Sequence, residues 1–110
     1  MQVMPSLLSD IVSQQKLPGI NVPYLYIGGF GTMFCWHTED FDMNSINFLH
    51  TGEPKIWYCL GRQEGHRLER WVKAKLPAEF LTCPQFMRHK TIMADPYRLV
   101  AEIPGLYIEK

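Results

Sequence analysis

Hydrophobic and polar positions follow two regimes along the chain. Near the start, Leu7, Leu8, Ile11 and Val12 recur at helical spacing behind Pro5 and Ser6. They predict a helix ending near Gln15, since Pro18 and Gly19 prevent its continuation. The period then shortens to two. Val22–Ile27 (VPYLYI), β-branched and aromatic, predicts a strand with Tyr24 and Tyr26 on one face. Gly28, Gly29 and Gly31 predict a turn around Phe30; they lack the spacing and the lysine of a phosphate-cradling loop. Met33–His37 predicts a second strand and Phe41–Leu49 a third, with Ser45, Asn47 and Leu49 on one side. His50–Pro54 is a loop by its Gly and Pro, and Ile56–Leu60 predicts a fourth strand. From Arg62 the helical period returns. Leu68, Trp71, Val72 and Leu76 form an amphipathic stripe, Glu69 and Lys73 an i,i+4 pair, and Pro77 ends the helix. The tail after Pro96, with Pro104 and Gly105, reads as loop. Short strands with tight links predict a mainly β protein with flanking helices, an antiparallel sandwich or barrel in place of βαβ units.

Composition narrows the functional classes. The chain has 110 residues, 46% hydrophobic and 20% charged, enough for about one domain or part of one. Its formal net charge is zero, which argues against binding nucleic acid through a broad phosphate-neutralising surface. Three cysteines, Cys35, Cys59 and Cys83, with no disulfide-dense spacing and no signal peptide, predict a reducing compartment. No apolar run is long enough to span a bilayer, so a soluble intracellular protein is expected.

The chemistry concentrates between Phe34 and Trp57. On an extended backbone His37 and Glu39 share a face, and an imidazole beside a carboxylate supplies two-thirds of the facial triad of a non-haem Fe(II) site. The plainer alternative is a surface histidine near a surface acid. Lys55 and Trp57 share parity too, so that an ammonium and an indole face the same way; with Asn47 they would offer a cation and a donor to a dicarboxylic cosubstrate. Tyr24 and Tyr26 are either half-buried sheet surface or the walls of an aromatic cage for a methylated cation. Cys83 and His89, at i and i+6, are either a buried thiol and a surface imidazole or half of a Zn(II) site. His50 and His66 lack partners in the pattern and are discounted as ligands.

The runs PGINVPYLYIG, FCWHTED, SINFLH and GEPKIWY, continuing through RLERW into CPQFMRHK, closely resemble the Jumonji-C family of Fe(II)- and 2-oxoglutarate-dependent oxygenases. The resemblance covers nearly the whole chain and is nearest to the branch that demethylates trimethylated histone lysines. It implies a double-stranded β-helix, a jelly roll, of which residues 1–110 would be part. His37 and Glu39 match the first two iron ligands. Asn47 and Lys55 match residues that hold 2-oxoglutarate, Lys55 at its distal carboxylate, and Phe34 matches the aromatic lying against it. Tyr24 and Tyr26, with the backbone near Gly19, match the methyl-lysine pocket. Cys83 and His89 match half of a zinc site. The implied activity is oxidative N-demethylation of a methylated histone H3 tail, with O2 as co-substrate, in the nucleus.

The sequence also departs from the family pattern. The third iron ligand is a later histidine, but no His follows His89, and the remaining zinc ligands are later cysteines, but no Cys follows Cys83. A tyrosine completing the 2-oxoglutarate site lies upstream in the family and has no counterpart here. Gly28-Gly29-Phe30-Gly31 replaces a Met-Trp-Lys run. A fragment of the domain, inactive and poorly stable by itself, is the expectation. A catalytically dead chromatin-binding module and a protein hydroxylase are the alternatives.

Overall fold

The structure, a computed structural model, describes residues 15–110. The helix predicted over Leu7–Gln15 lies almost wholly outside the described residues. The chain divides into two compact units, Met1–Thr32 and Met33–Lys110.

The described part of the first unit is organised by a turn. The amides of Ile20 and Asn21 both donate to the Leu17 carbonyl at 3.0 Å, and Gly19 N–H donates to Val22 O at 2.8 Å. The Asn21 side chain closes the same turn, accepting from Leu17 N–H at 2.7 Å. Gly19 stands at φ +80°, a conformation that favours a residue without Cβ. Beyond it, Val22 makes an isolated bridge to Pro18, and 23–27 is exposed and forms no ladder among the described residues, with Ile27 92% exposed. The glycine turn is present: Gly29 N–H donates to Thr32 Oγ1 at 3.0 Å.

The second unit carries the core, and the core is helical. Helix α1, Gly65–Lys75, realises the predicted stripe and buries Leu68 and Val72. It stops at Leu76, whose extended-side φ of −129° suits the residue before a proline. Pro77 then opens a second helix, α2 (Pro77–Thr82), which buries Phe80. A proline at a helix's first position loses nothing, because that N–H has no intrahelical acceptor. Helix α3, Pro96–Glu102, corrects the expectation of a loop after Pro96. Asp95 caps it, its carboxylate accepting from Tyr97 N–H at 2.9 Å. Leu99, with no exposed surface, joins Ile103 and Leu106 in one cluster with Leu68, Val72 and Phe80. Trp36, Trp71, Phe86 and Ile92 pack around it.

Strand structure is sparse. β1 (Cys59–Leu60) pairs antiparallel with β2 (Ile108–Glu109), Cys59 opposite Glu109. Of the four predicted strands, only the end of Ile56–Leu60 is realised among the described residues. Phe41–Leu49 begins in a 3₁₀ turn, Asp40–Asp42, and continues as exposed chain. A mainly β description therefore does not fit these residues, and no jelly roll is formed by them. Alternation places side chains on two faces, but a strand exists only where its N–H and C=O groups meet a second strand. The predicted Glu69–Lys73 pair gives way to Lys73 over the Phe80 ring at 5.9 Å. All three cysteines are free thiols, and no helix among the described residues is long and apolar enough to cross a membrane.

Candidate functional site

The segment bearing His37 and Glu39 is anchored to the core by one indole. Trp36 donates its backbone N–H to Ile92 O at 2.9 Å and its Nε1–H to Ala94 O at 2.8 Å. The next residue inherits that placement. His37 Nδ1 lies 2.7 Å from Cys35 O, and because a carbonyl only accepts, Nδ1 carries the proton. In the neutral ring this leaves the lone pair on Nε2, which faces Glu39 Oε1 at 3.8 Å. Ser45 Oγ donates to that same Oε1 at 2.8 Å and orients the carboxylate. Two donors that each sit ~2.1 Å from an ion lie at most ~4.2 Å apart, so one first-row ion can bridge the pair. The Nδ1 hydrogen bond to a backbone carbonyl is also the usual support of a metal-bound histidine. Among the described residues no third His, Cys, Asp or Glu joins them as a metal-binding group. The donor set therefore fits two positions of an iron site.

Lys55 organises a second group. Its Nζ lies 4.3 Å from the Phe34 ring centroid, 4.4 Å from that of Trp57, and 3.4 Å from Asn47 Oδ1. The shared parity of Lys55 and Trp57 is realised as a cation held between two aromatic faces. Such a half-buried ammonium, with an amide beside it, has the chemistry to pair one end of a carboxylate.

Within the first unit, Gly19, Tyr24 and Tyr26 come together. A Cβ on Gly19 would meet Tyr24 Cε2 at 2.6 Å, so the tyrosine ring lies directly on the glycine backbone. The Tyr24 and Tyr26 rings stand edge to face, centroids 6.0 Å apart, both more than half exposed. Among the described residues neither ring lies on a paired sheet.

Elsewhere in the second unit, His89 Nε2 lies 3.4 Å from Cys83 Sγ. Ala78, Glu79, Thr82 and Phe86 line an open depression with them. Tetrahedral zinc holds a sulfur at ~2.3 Å and a nitrogen at ~2.0 Å, hence roughly 3.5 Å apart. The donor types and their spacing fit half of such a site. His50 stacks edge-on against Phe48, centroids 5.0 Å apart. Ser45, the Trp36 anchor and Arg88, which reaches the loop after His37, carry no signal in the sequence; each acts through a contact that spacing does not reveal.

A model of the JmjC domain family, described as "JmjC domain, hydroxylase", matches residues 24–110. Lysine-specific demethylase 4D of Rattus norvegicus is 42% identical over 92 residues, 81% of this chain and 18% of the relative. Lysine-specific demethylase 4B of Mus musculus is 48% identical over 80 residues, 73% of this chain and 7% of the relative. Probable lysine-specific demethylase 4F of Homo sapiens is 46% identical over 90 residues, 79% of this chain and 14% of the relative. The chain thus spans less than a fifth of the length of each of these relatives. No solved structure matches. With the matched region running from the tyrosine pair through the His37–Glu39 loop to the last residue, the chain belongs to the JmjC domain family.

Proposed function

We propose that the full-length protein is a nuclear 2-oxoglutarate-dependent dioxygenase that removes methyl groups from lysines of the histone H3 tail, residues 1–110 forming part of its cupin-like catalytic domain, a jelly roll. The observation that carries this reading is the pairing of an oriented imidazole and carboxylate with a lysine ammonium flanked by two aromatic rings. Names of relatives that specify lysine demethylases support the substrate class.

In this reading His37 Nε2 and Glu39 hold Fe(II), with Cys35 O fixing the imidazole tautomer and Ser45 steering the carboxylate. Lys55 pairs the distal carboxylate of 2-oxoglutarate, Asn47 donates beside it, and Phe34 lies against the cosubstrate and limits water. Iron held there would supply the activation of O2, one oxygen atom going to 2-oxoglutarate as it is oxidised to succinate and CO2 and the other to an N-methyl group, whose hydroxylated carbon would leave as formaldehyde. Tyr24, Tyr26 and the backbone at Gly19 receive the methylammonium, which has no N–H to donate when trimethylated and is recognised by electron-rich rings. Cys83 and His89 contribute to a structural Zn(II).

A second reading, protein hydroxylation, is favoured by the family description. One experiment separates the two. The full-length protein, given Fe(II), 2-oxoglutarate and methylated H3 peptides, should release formaldehyde and lower peptide mass by one methyl per turnover. A gain of one oxygen with no formaldehyde establishes the hydroxylase instead. No 2-oxoglutarate consumption with any substrate, by a protein that binds H3 peptides, leaves the chromatin-binding module.

A further inference from the structure

Between the iron-ligand loop and the segment containing His89 runs a set of charged contacts that the proposed chemistry does not use. Arg88 Nη1 donates to Thr38 Oγ1 at 3.1 Å and to Asp42 Oδ1 at 3.1 Å, and Nη2 donates to Asp42 Oδ2 at 3.4 Å. Lys90 Nζ donates to Asp40 Oδ1 at 3.1 Å. Thr38 and Asp40 are the two neighbours of Glu39, and Asp42 closes the 3₁₀ turn that comes after it. The two cations therefore grip the chain immediately before Glu39, immediately after it and one turn beyond.

The backbone at this contact is strained on both sides. Phe41 (φ 55°), Asp42 (φ 52°) and Lys90 (φ 55°) are the non-glycine residues with positive φ among the described residues, and all three lie here. Left-handed backbone at residues with a Cβ persists only when the surroundings over-determine it. The guanidinium fork supplies such a constraint, because two parallel N–H donors fix a carboxylate in direction as well as distance. As exposed ion pairs these contacts add little to global stability. Their consequence is local: Ser45 orients the Glu39 carboxylate, and the fork fixes the backbone from which that carboxylate projects.

We infer that Arg88 is a positioning residue for the metal pair: its bidentate grip on Asp42, with its hydrogen bond to Thr38, sets Glu39 against His37 Nε2. The inference rests on the reading that His37 and Glu39 hold the metal.

The test uses the full-length protein and Co(II) as a redox-silent probe, and records the dissociation constant and the ligand-field absorption of the bound ion. The His37-dependent part is isolated by repeating each titration with His37→Ala added. Arg88→Ala is expected to weaken that part about 10- to 100-fold, the range for losing a group that supports a metal ligand, and to change its absorption. Asp42→Asn should do the same, and the double variant should be no worse than the poorer single one. Arg88→Lys, which keeps the charge without the fork, should recover binding only in part. A folded Arg88→Ala with wild-type affinity and spectrum overturns the inference, as does additivity in the double variant. If Arg88→Ala does not fold, Asp42→Asn decides by the same criterion. Should His37→Ala and Glu39→Ala leave Co(II) binding unchanged, the metal reading itself fails and takes the inference with it. Sensitivity at those two residues with none at Arg88 or Asp42 sinks the inference alone.

Discussion

Replacing Lys55 by methionine removes one charge and keeps most of the side-chain volume. In the free protein the loss is confined to the ammonium's contacts with the Phe34 and Trp57 rings, at 4.3 and 4.4 Å, and with Asn47. Cation–π contacts at partly exposed sites contribute about 0.5–1 kcal/mol each, so unfolding free energy should fall by no more than about 2 kcal/mol. The cosubstrate complex should suffer more. An ammonium 4 Å from a carboxylate gains about 4 kcal/mol at an effective dielectric constant near 20. Desolvation of both ions reduces this to the roughly 1.5–3 kcal/mol of a hydrogen bond to a charged group. At 1.4 kcal/mol per tenfold, 2-oxoglutarate binding should weaken about 10- to 150-fold. The Kd for 2-oxoglutarate is measured by calorimetry on the metal-loaded full-length protein, beside the Kd for a methylated H3 peptide, which should move less than about twofold. Lys55→Arg should fall between, since the charge persists but the fork does not match the space between two rings. A folded Lys55→Met that binds 2-oxoglutarate as the wild type does would refute the role given to the cation.

Two further outcomes concern the core and its polar edge. Leu99, fully buried where α3 meets the other helices, should cost about 2–5 kcal/mol on truncation to alanine, read as a lowered urea midpoint; a shift under about 1 kcal/mol would mean the six-residue cluster is not the folding core. Glu102 accepts from Lys75, Arg98 and Trp71, and these partners lower its pKa from 4.5 to about 2. A carboxyl depressed in the folded state stabilises above its unfolded pKa and loses that contribution as pH falls. Stability should therefore decline between pH 4.5 and about 2, and Glu102→Gln should flatten that decline; parallel pH profiles for the two proteins would show that the hub does not matter.

What the sequence discloses and what it hides divide along physical lines. The α1 stripe is legible because Leu68 and Val72 recur at a local period that no distant residue can change. Helix α3 carries its own signals, an Asp cap and then Pro at the first position, but Pro104 and Gly105 nearby read as loop and mask them. Pro77 reads in the sequence only as a stop, although a proline that ends one helix is equally fit to begin the next. Among the described residues 22–27 and 41–49 carry no ladder, because apolar alternation specifies two faces without specifying a partner. The juxtapositions at the candidate site do not depend on a ladder. His37 with Glu39, and Lys55 with Trp57, come together through short-range parity, which extended chain preserves whether or not a ladder forms.

That separation bears on how the site is held. The buried cluster draws on residues from Leu68 onward, whereas the His37–Glu39 pair and the Lys55 group lie before it. The two regions meet at Trp36, packed on the cluster and hydrogen-bonded to Ile92 and Ala94, and at Arg88 and Lys90, bonded to the loop around Glu39. His37 and Glu39 are thus framed by contacts reaching one short stretch, 88–94, which overlaps the end of the Cys83–His89 pair. The guanidinium that forks onto Asp42, three residues after Glu39, belongs to the residue next to His89, so the surroundings of the two pairs are joined through a single side chain.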